Sequence, residues 1–420
     1  MILSDENNKI EYVGQYKIVK TLAVSGYSNV YLVEDTKDGN KKYALKAIRN
    51  SNERYKLQNE VETYKKIFNH DNILNLTKVF KVSKRWFLLF EHAQDDLKNK
   101  VVTTGVLDEH EIFNILRDML KVLKFTRKLK IIHNDIKPAN ILIKENEYFL
   151  CDWGLAVSDY KAETLNIDTD RGYIAPEVFN GVYDIRADIY SLGCTLYYLA
   201  VGKKIFDINK ESSSAYIMYS HCFLNPKLEQ IQSNKLKYLI LKLTEKNPDK
   251  RLTLEGIEKV LESNETFEFE ESNNNHKYYQ NKNSFELYEL LKEKNVLYAY
   301  NNLAFLYENY EEKKDLNQAL VLYETAAKKG LVNAMYNLGV LYFSSNDIPE
   351  DNQKAFFWFN QASLKHHVKA QYCLGLFYEE GLVVTQDMKK AHKLFKISAY
   401  AGYKKAYKKL KELHKRDMKL

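Results

Sequence analysis

The sequence is poor in the residues that mark secreted, metal-stapled or membrane-spanning chains. It has 420 residues with 5 prolines, 15 glycines and 4 cysteines. The cysteines, which are far apart and fit no disulfide or zinc spacing, are Cys151, Cys194, Cys222 and Cys373. The longest apolar run, residues 189–202, is too short to cross a bilayer and is typical of a buried helix. The start of the chain also lacks a signal-peptide pattern, so we expect a soluble cytoplasmic protein with no membrane span.

Composition excludes a disordered chain and gives no nucleic-acid signature. Hydrophobic residues make up 45% and aromatic residues 13% of the chain, so it can bury sizeable cores in two or three domains. The formal charge of +7 is too small to predict nucleic-acid binding. Basic residues are concentrated in residues 389–420, where two interpretations stay open: a solvated helix face or a surface for an acidic partner.

Hydrophobic patterns divide the chain into three parts. Residues 10 to about 90 contain short β-rich runs at 16–23, 29–35, 42–48 and 85–92, interrupted by a helical pattern at 57–68. Residues 108–262 have mostly helical spacing. We therefore expect a first domain over 10–262 and a polar linker over 263–282, followed by a third segment over 283–420.

The third segment repeats itself. The stretches 299-AYNNLAFLY, 334-AMYNLGVLY, 370-AQYCLGLFY and 406-AYKKLKELH follow one another at steps of 35, 36 and 36 residues. Asp315, Asp351 and Asp387 keep the 36-residue interval and precede each second helix, where a carboxylate can cap the first turn. Paired helices of this period stack into an α-solenoid. The pattern resembles Sel-like repeats, which implies a protein partner on this module; the last unit, from 406, is truncated.

A second pattern carries chemistry in the first domain. In 131-IIHNDIKPANILI, Asp135 can accept or orient a hydroxyl proton, Lys137 can stabilise a transferring phosphoryl group and Asn140 can bind Mg²⁺. Asp152, in 151-CDWGLA, supplies a second metal ligand. Phosphoryl transfer depends mainly on such positioning and charge neutralisation.

Two charged residues upstream complete the candidate site. Lys46 lies near the end of a predicted strand, where its ammonium can pair with the α- and β-phosphates of ATP. Glu60 follows on the predicted helix. The apolar side of that helix, formed by Val61, Tyr64 and Ile67, favours Glu60 over Glu62 as the partner of Lys46.

Together these motifs resemble those of eukaryotic-type Ser/Thr protein kinases over residues 10–262. The resemblance implies an α+β bilobal fold, with a small β-rich N-lobe and a mostly helical C-lobe, followed here by an all-α helical-hairpin solenoid. It also implies an ATP- and Mg²⁺-dependent protein kinase, with a protein carrying a Ser or Thr acceptor as substrate. The D-I-K-P-A-N wording favours Ser/Thr over Tyr.

The resemblance assigns further residues to ATP. Backbone groups of Glu91 and Ala93 would bind adenine beside Phe90, with Ala44 and Leu142 bordering the pocket. The phosphate loop would comprise Leu22, Ala23, Val24, Ser25, Gly26, Tyr27, Ser28, Asn29 and Val30.

Structural contacts are implied as well. We expect an ion pair between Glu177 and Arg251 and hydrogen bonds from Asp188 to the catalytic loop. An apolar stack would join Tyr64, Leu76, His133 and Trp153.

Three positions depart from the family pattern: the phosphate loop, Trp153 in place of the usual Phe, which has little consequence, and Asn134. Ala23, Ser25 and Ser28 replace the three glycines of the phosphate loop, which restricts the backbone and predicts weaker or slower nucleotide binding. Asn134 replaces the Arg that gathers a phosphorylated activation segment in many kinases. Asn134 therefore predicts activity that does not depend on phosphorylation of Thr164 or Thr169.

Three hypotheses follow: an active kinase whose repeats recruit partners, a pseudokinase scaffold acting through the repeats, and an adaptor unrelated to kinases. Retention of Lys46, Glu60, Asp135, Lys137, Asn140 and Asp152 favours the first, because folding alone does not require all six. On this hypothesis, removing residues 283–420 should spare activity on short peptides.

Overall fold

The computed structural model describes residues 2–4, 10–25, 28–48, 54–83, 85–158, 171–180, 184–206, 208–209, 211–267, 282–344, 350–400 and 403–417. Gly26, Tyr27, Thr164 and Thr169, which were assigned roles above, lie outside these ranges.

An antiparallel sheet forms the N-terminal region. Its strands are β1 (Ile2–Ser4), β2 (Ile10–Val13), β3 (Tyr16–Val24), β4 (Ser28–Asp35), β5 (Lys41–Ile48), β6 (Leu76–Val82) and β7 (Arg85–Glu91). They are ordered β1-β2-β3-β4-β5-β7-β6. Helix α1 (Arg54–Lys66) follows β5 in the chain. One small core, including Val33, Leu45 and Phe87, belongs to this sheet alone.

The sequence patterns missed three strands of this sheet. The strands predicted at 16–23, 29–35, 42–48 and 85–92 are present, each with a shift of one residue at one end. Strands β1, β2 and β6 were not predicted. In β6 the pairing with β7 shifts register between Leu76 and Lys78, and such an irregularity interrupts the two-residue alternation that identifies a strand.

Helices form most of the region that follows. They are α2 (Leu97–Thr104), α3 (Glu109–Lys128), α4 (Ile185–Val201), α5 (Ser214–Phe223), α6 (Asn234–Leu243) and α7 (Leu254–Glu262). Short strand β8 (Asp95–Asp96) precedes α2. Four more short strands lie between α3 and α4: β9 (Ile131–Ile132), β10 (Ile141–Lys144), β11 (Glu147–Leu150) and β12 (Val157–Ser158).

Helix α4 is the predicted buried helix. It contains most of the apolar run and is buried along nearly its whole length. At Gly193 an added Cβ would lie 2.7 Å from the Leu243 side chain, so glycine permits the close approach of α4 and α6. No helix in the described ranges is both long and apolar enough to cross a membrane.

The last part of the chain is a run of helical hairpins. Its helices are α8 (Ser284–Glu293), α9 (Leu297–Asn309), α10 (Leu316–Lys328), α11 (Val332–Ser344), α12 (Asn352–Leu364), α13 (Val368–Glu380), α14 (Met388–Tyr400) and α15 (Lys404–Asp417). Asp315, Asp351 and Asp387 each accept a backbone N–H three residues on, as the predicted caps. The expected fold class, a β-rich region and a helical region followed by a helical solenoid, is confirmed.

Small residues and aromatic rings hold these hairpins together. Gly339 and Gly375 face the buried rings of Phe359 and Phe395, and an added Cβ would lie 2.7 Å and 2.6 Å from them. Lys405, Lys408 and Lys411 are exposed on α15, while Ala406 and Leu413 are buried. The polar outer face of α15 supports the interpretation of its basic residues as a solvated end of the solenoid.

The hairpin module packs against the helical region that precedes it. Helix α8 contacts α5, and α9 contacts the 3-10 segment Pro176–Asn180. Asn180 Oδ1 accepts the Leu297 backbone N–H at 3.0 Å and so caps the first turn of α9 from outside the module. One hydrophobic core includes buried residues of both parts.

Candidate active site

A triad of charges, with Lys46 and Glu60 buried and Asp152 partly exposed, connects the sheet, helix α1 and the Asp152 segment. The Lys46 Nζ lies 2.7 Å from Glu60 Oε1 and 2.8 Å from Asp152 Oδ1. Glu62 instead accepts a hydrogen bond from Gln58 on the helix surface, so the expected choice of Glu60 is confirmed as a contact. At this site a phosphate group can take the place of a carboxylate beside the Lys46 ammonium, and a cation can take the place of that ammonium beside a carboxylate.

Electrostatics act differently on the three members of this triad. Burial lowers the pKa of Lys46, but the charges of Asp152 and Glu60 outweigh it, and the net pKa is raised. The Lys46 charge lowers the pKa of Asp152 and outweighs the opposing effect of its partial burial. Burial raises the pKa of Glu60, an effect that Lys46 only partly offsets. Removal of Lys46 would therefore leave two carboxylates close together without their cation.

The catalytic-loop candidates form a second cluster. Lys137 Nζ lies 2.9 Å and 2.7 Å from the two carboxylate oxygens of Asp135. Asn140, in the 3-10 turn Pro138–Asn140, donates from Nδ2 to the Asp135 carbonyl at 2.8 Å and to its Oδ2 at 2.9 Å. Burial raises the pKa of Asp135 to about 6, against the lowering influence of Lys137. A carboxylate with this pKa is a suitable proton acceptor near neutral pH.

Backbone hydrogen bonds fix the start of this loop. Asp188, fully buried on α4, accepts the N–H groups of His133 at 2.7 Å and Asn134 at 2.8 Å. The expected bracing by Asp188 is therefore present. The His133 ring lies 2.9 Å from the Cys151 carbonyl through Nε2, and its Nδ1 accepts the Asp135 N–H. Burial lowers the pKa of His133 to about 4, so the ring is neutral and connects the two loops.

Asn140 and Asp152 suit the predicted Mg²⁺ site. Both hydrogen bonds described for the Asn140 amide nitrogen go to Asp135, which leaves the amide oxygen as the ligand atom. The Asp152 side chain is 46% exposed, so a cation carrying phosphates and water could reach it. Two oxygen ligands plus substrate phosphates are what Mg²⁺ commonly uses. Asp152 has a left-handed backbone with φ 63°, a conformation that Asp tolerates better than most residues.

The predicted phosphate loop is the β3–β4 hairpin. Leu22, Ala23 and Val24 lie in β3, whereas Asn29 and Val30 lie in β4, with Val24 paired to Asn29. Ser25 and Ser28 make reciprocal bonds: the Ser28 N–H donates to Ser25 Oγ at 2.9 Å and Ser25 Oγ donates to the Ser28 carbonyl at 3.0 Å. Ser25 and Ser28, which stand where the family pattern has glycine, are thus joined across the hairpin through the Ser25 hydroxyl.

The predicted adenine-pocket residues lie where the sheet meets the helical region. Ala44 of β5 pairs with Phe90 of β7, and Glu91 ends that strand. Ala44, Ala93 and Leu142 all pack partly buried against the large core. The Glu91 carboxylate accepts a hydrogen bond from Lys144 at 2.7 Å. This contact does not involve the Glu91 backbone groups that were assigned to adenine.

Two further predicted contacts are present. Arg251 makes a bidentate pair with Glu177, at 2.6 Å and 3.0 Å, and donates to the carbonyls of Glu245 and Arg186. The rings of His133 and Trp153 meet edge to face with centroids 4.5 Å apart.

Sequence reasoning missed Asn59 and Asn72. Asn59 Nδ2 donates to the carbonyls of Gly154 at 3.3 Å and Ala156 at 2.9 Å, which ties α1 to the segment after Asp152. Asn72 Nδ2 donates to the Tyr148 carbonyl at 3.0 Å. Neither has a sequence signal of its own, since a single Asn in a polar stretch is also typical of an exposed position.

Family comparisons agree with this geometry. Residues 16–264 match the model of the protein kinase domain. Residues 297–331, 332–367 and 368–403 match the Sel1 repeat, which confirms the predicted resemblance for three of the four units expected from the sequence.

Curated relatives are similar over the first part of the chain. The serine/threonine-protein kinase cds1 of Schizosaccharomyces pombe is 28% identical over 57% of this chain and 56% of its own length. A probable serine/threonine-protein kinase KIN1 homolog of Enterocytozoon bieneusi is 30% identical over 61% and 45%. Myosin light chain kinase A of Dictyostelium discoideum is 32% identical over 44% and 66%. The chain thus spans about half to two thirds of the length of these relatives.

Proposed function

Because the chain belongs to the protein kinase family, we propose that it transfers the γ-phosphate of ATP to Ser or Thr hydroxyls of protein substrates. The observation that carries this proposal is the pairing of Lys46 with both Glu60 and Asp152, beside the cluster of Asp135, Lys137 and Asn140. These six side chains supply the cation, the metal ligands and the proton acceptor that phosphoryl transfer requires.

Each residue has a separate role in the proposed reaction. Lys46 holds the α- and β-phosphates, and Glu60 keeps its ammonium in place. Asp135 orients the acceptor hydroxyl and takes its proton, while Lys137 neutralises charge on the transferring group. Asn140 and Asp152 hold Mg²⁺, which supplies further neutralisation of the phosphate charge.

ATP is positioned by the surrounding backbone. Glu91 and Ala93 offer backbone groups to adenine, and Ala44 and Leu142 cover its two faces. The β3–β4 hairpin, from Leu22 to Ser25 and from Ser28 to Val30, covers the phosphates.

The decisive experiment measures Mg²⁺-dependent transfer of labelled γ-phosphate to a general protein substrate by the full chain. We expect transfer by the wild type and loss of at least 100-fold in Asp135→Ala, about the effect of removing a general base. Asp118→Ala is the matched control, because Asp118 is a partly buried carboxylate that pairs with Lys121 on α3. Transfer no greater than that of Asp135→Ala would contradict the proposal. Peptides that differ only in a Ser, Thr or Tyr acceptor test the Ser/Thr assignment.

A pseudokinase scaffold is the second candidate, and the glycine-poor phosphate loop favours it. The Ser25–Ser28 bonds close the hairpin and restrict its movement over a nucleotide. This candidate predicts ATP-induced thermal stabilisation without transfer, or neither effect. Measured turnover that is abolished in Asp135→Ala would exclude it.

We assign residues 10–262 to the catalytic domain, 263–282 to a linker and 283–420 to a repeat domain that binds a protein partner. The Sel1 matches support this second part of the proposal. Phe305 is 53% exposed on α9 and offers a test. Phe305→Asp should leave peptide phosphorylation unchanged but lower phosphorylation of a protein substrate identified by phosphoproteomics with the full chain. Equal effects on peptide and protein would contradict recruitment through this surface.

A further inference from the structure

The second helices of the three repeats expose equivalent positions. Val321 of α10, Phe357 of α12 and Lys393 of α14 follow one another at steps of 36 residues, and all three are exposed. Because stacked repeats keep their register, these positions lie on the same side of the solenoid. Residues three, four and seven places away share that side of each helix. We use the term outer face for six exposed residues of this side: Val321, Phe357, Leu364, Lys389, Lys393 and Lys396.

One end of the outer face is apolar. Val321, Phe357 and Leu364 are 59%, 51% and 67% exposed, and Leu364 lies two turns beyond Phe357 on α12. The Phe357 ring meets the Trp358 ring edge to face, with centroids 5.0 Å apart, which gives the exposed ring a fixed neighbour. Exposed apolar residues that recur on one side of a protein mark a surface for a partner, whereas single scattered ones do not.

The other end of the outer face is basic and has no balancing charge. Helix α14 contains no acidic residue. Lys389, Lys393 and Lys396 are exposed at spacings of four and three residues, and like charges at such spacings lower the stability of a helix. Lys389 also lies in the first turn, where the helix dipole disfavours a cation. These lysines therefore lower the stability of the helix that carries them.

The equivalent helices of the other repeats balance their lysines. Lys328 of α10 pairs with Glu324 at 2.7 Å, and Lys354 of α12 pairs with Asp351 at 3.2 Å. Within the described ranges, no ion pair engages Lys389 or Lys393. A helix face that is merely solvated usually carries charges of both signs. The unbalanced charge is thus a property of α14 and not of the repeat fold.

We propose that the outer face binds an acidic segment of a partner protein. Apolar residues of that segment cover Phe357 and Leu364, and its carboxylates pair with the α14 lysines. The inference rests on the proposed partner-binding role of the repeat domain and adds a second surface to the one tested at Phe305. A nucleic acid would pair with the lysines but leave Leu364 uncovered. Membrane-surface helices carry apolar and basic residues around one helix, whereas here they lie on successive repeats.

Fluorescence anisotropy of a labelled peptide tests the proposal with the full chain. In the peptide, two leucines precede a run of glutamates. We expect saturable binding that weakens as salt is added. Replacement of Lys389, Lys393 and Lys396 by Gln should raise Kd about 5- to 20-fold, because three exposed ion pairs are lost. Phe357→Ser should raise Kd about fivefold, and the peptide with Gln in place of Glu should bind most weakly.

Helix α15 provides a matched control. Lys405, Lys408 and Lys411 are exposed on it, so their replacement by Gln removes the same net charge elsewhere on the module. Kd should then stay within about twofold of wild type. An equal rise of Kd in the two triple variants would overturn the inference, as would absence of saturable peptide binding. Tighter binding of phosphatidylserine vesicles or of poly(U) RNA than of the peptide would also overturn it.

Thermal unfolding shows whether weakened binding reflects a damaged helix. Lys393→Gln relieves like-charge repulsion and should not lower the unfolding temperature of the repeats, and a lower temperature would assign this lysine a structural role. Peptide binding needs no phosphoryl transfer, so it tests the inference even if the kinase proposal fails. If Phe305→Asp lowers phosphorylation of a protein substrate while the acidic peptide does not bind, recruitment by the repeats stands and this inference fails.

Discussion

The catalytic region and the repeat module are held in shape by different interactions. In the catalytic region, buried charges meet at fixed points: Lys46 with Glu60, and Arg251 with Glu177. In the repeat module, small residues face aromatic rings, as Gly339 faces Phe359. Removal of one partner of a buried ion pair strongly lowers stability, whereas the stability of packed rings changes gradually with side-chain volume.

This difference explains how each region could be recognised. The catalytic charges occur once, so their order along the chain carries the information. The repeat contacts recur every 36 residues, so the period itself carries it. The two regions should therefore respond differently to substitution.

The largest expected effect is on the buried pair of Arg251 and Glu177. Arg251→Leu should lower the free energy of unfolding of the catalytic region by about 3–5 kcal/mol, because it leaves Glu177 buried without its cation. Denaturant unfolding followed by fluorescence measures this. Arg186→Leu is the control, since Arg186 pairs with Asp184 at a partly exposed site and should cost about 1 kcal/mol or less. The double variant Arg251→Leu with Glu177→Leu should recover part of the loss, and no recovery would contradict the charge argument.

Separation of the two regions tests whether either is independent. The sequence alone led us to expect that a chain without residues 283–420 would keep its activity on peptides. The packing of α8 on α5, with Asn180 capping α9, leads us to expect instead that this fragment unfolds at lower temperature and associates through α5.

Thermal unfolding and light scattering of the fragment measure these effects. Removal of α15 alone is the control, because that helix packs on α14 at the other end of the module. A fragment as stable and monomeric as the full chain would show that the contact with α5 contributes little.

Most of the site could be predicted because its residues lie in short, ordered motifs. Asp135, Lys137 and Asn140 fall within six positions, and the helix period identified Glu60 as the partner of Lys46. Asn59 could not be predicted, since its carbonyl partners lie 95 and 97 residues later and no periodicity connects them. The strand β6 was missed because its register shift interrupts the alternation of its side chains.

Contacts between the regions were also beyond sequence reasoning. The apolar composition of α5 is equally typical of a helix buried within one domain. The contact between α5 and α8 depends on how the helical region and the repeats are placed relative to each other. Neither the helical pattern of the first nor the period of the second carries that information.

Acidification should affect the catalytic region before the repeats. Asp135 acts in its deprotonated form, and its pKa is raised to about 6 by burial, whereas an ordinary Asp has a pKa of about 3.9. As the pH falls below 6, kcat/KM should decrease about tenfold per unit. Circular dichroism should show unchanged helix content over the same range. A rate that stays constant down to about pH 4.5 would mean that Asp135 has the pKa of an ordinary Asp.

The smallest expected effect is at the packed contact of the repeats. Gly339→Ala gains about 1 kcal/mol of helix propensity, but its methyl group would lie 2.7 Å from the buried Phe359 ring, and such overpacking costs about 1–3 kcal/mol. We therefore expect a net loss of about 1 kcal/mol in the stability of the repeat module, measured by denaturant unfolding, with no change in phosphoryl transfer. Ala304 already carries a methyl group at the corresponding position of the first repeat, where Tyr323 occupies the sequence position of Phe359 and both residues are buried. Ala304→Gly should thus also destabilise, by about 1 kcal/mol, through lost helix propensity. Changes in stability of opposite sign for the two substitutions would mean that helix propensity alone governs this position. A loss of stability in both would show that the residue at this position in each repeat matches the packing of that repeat.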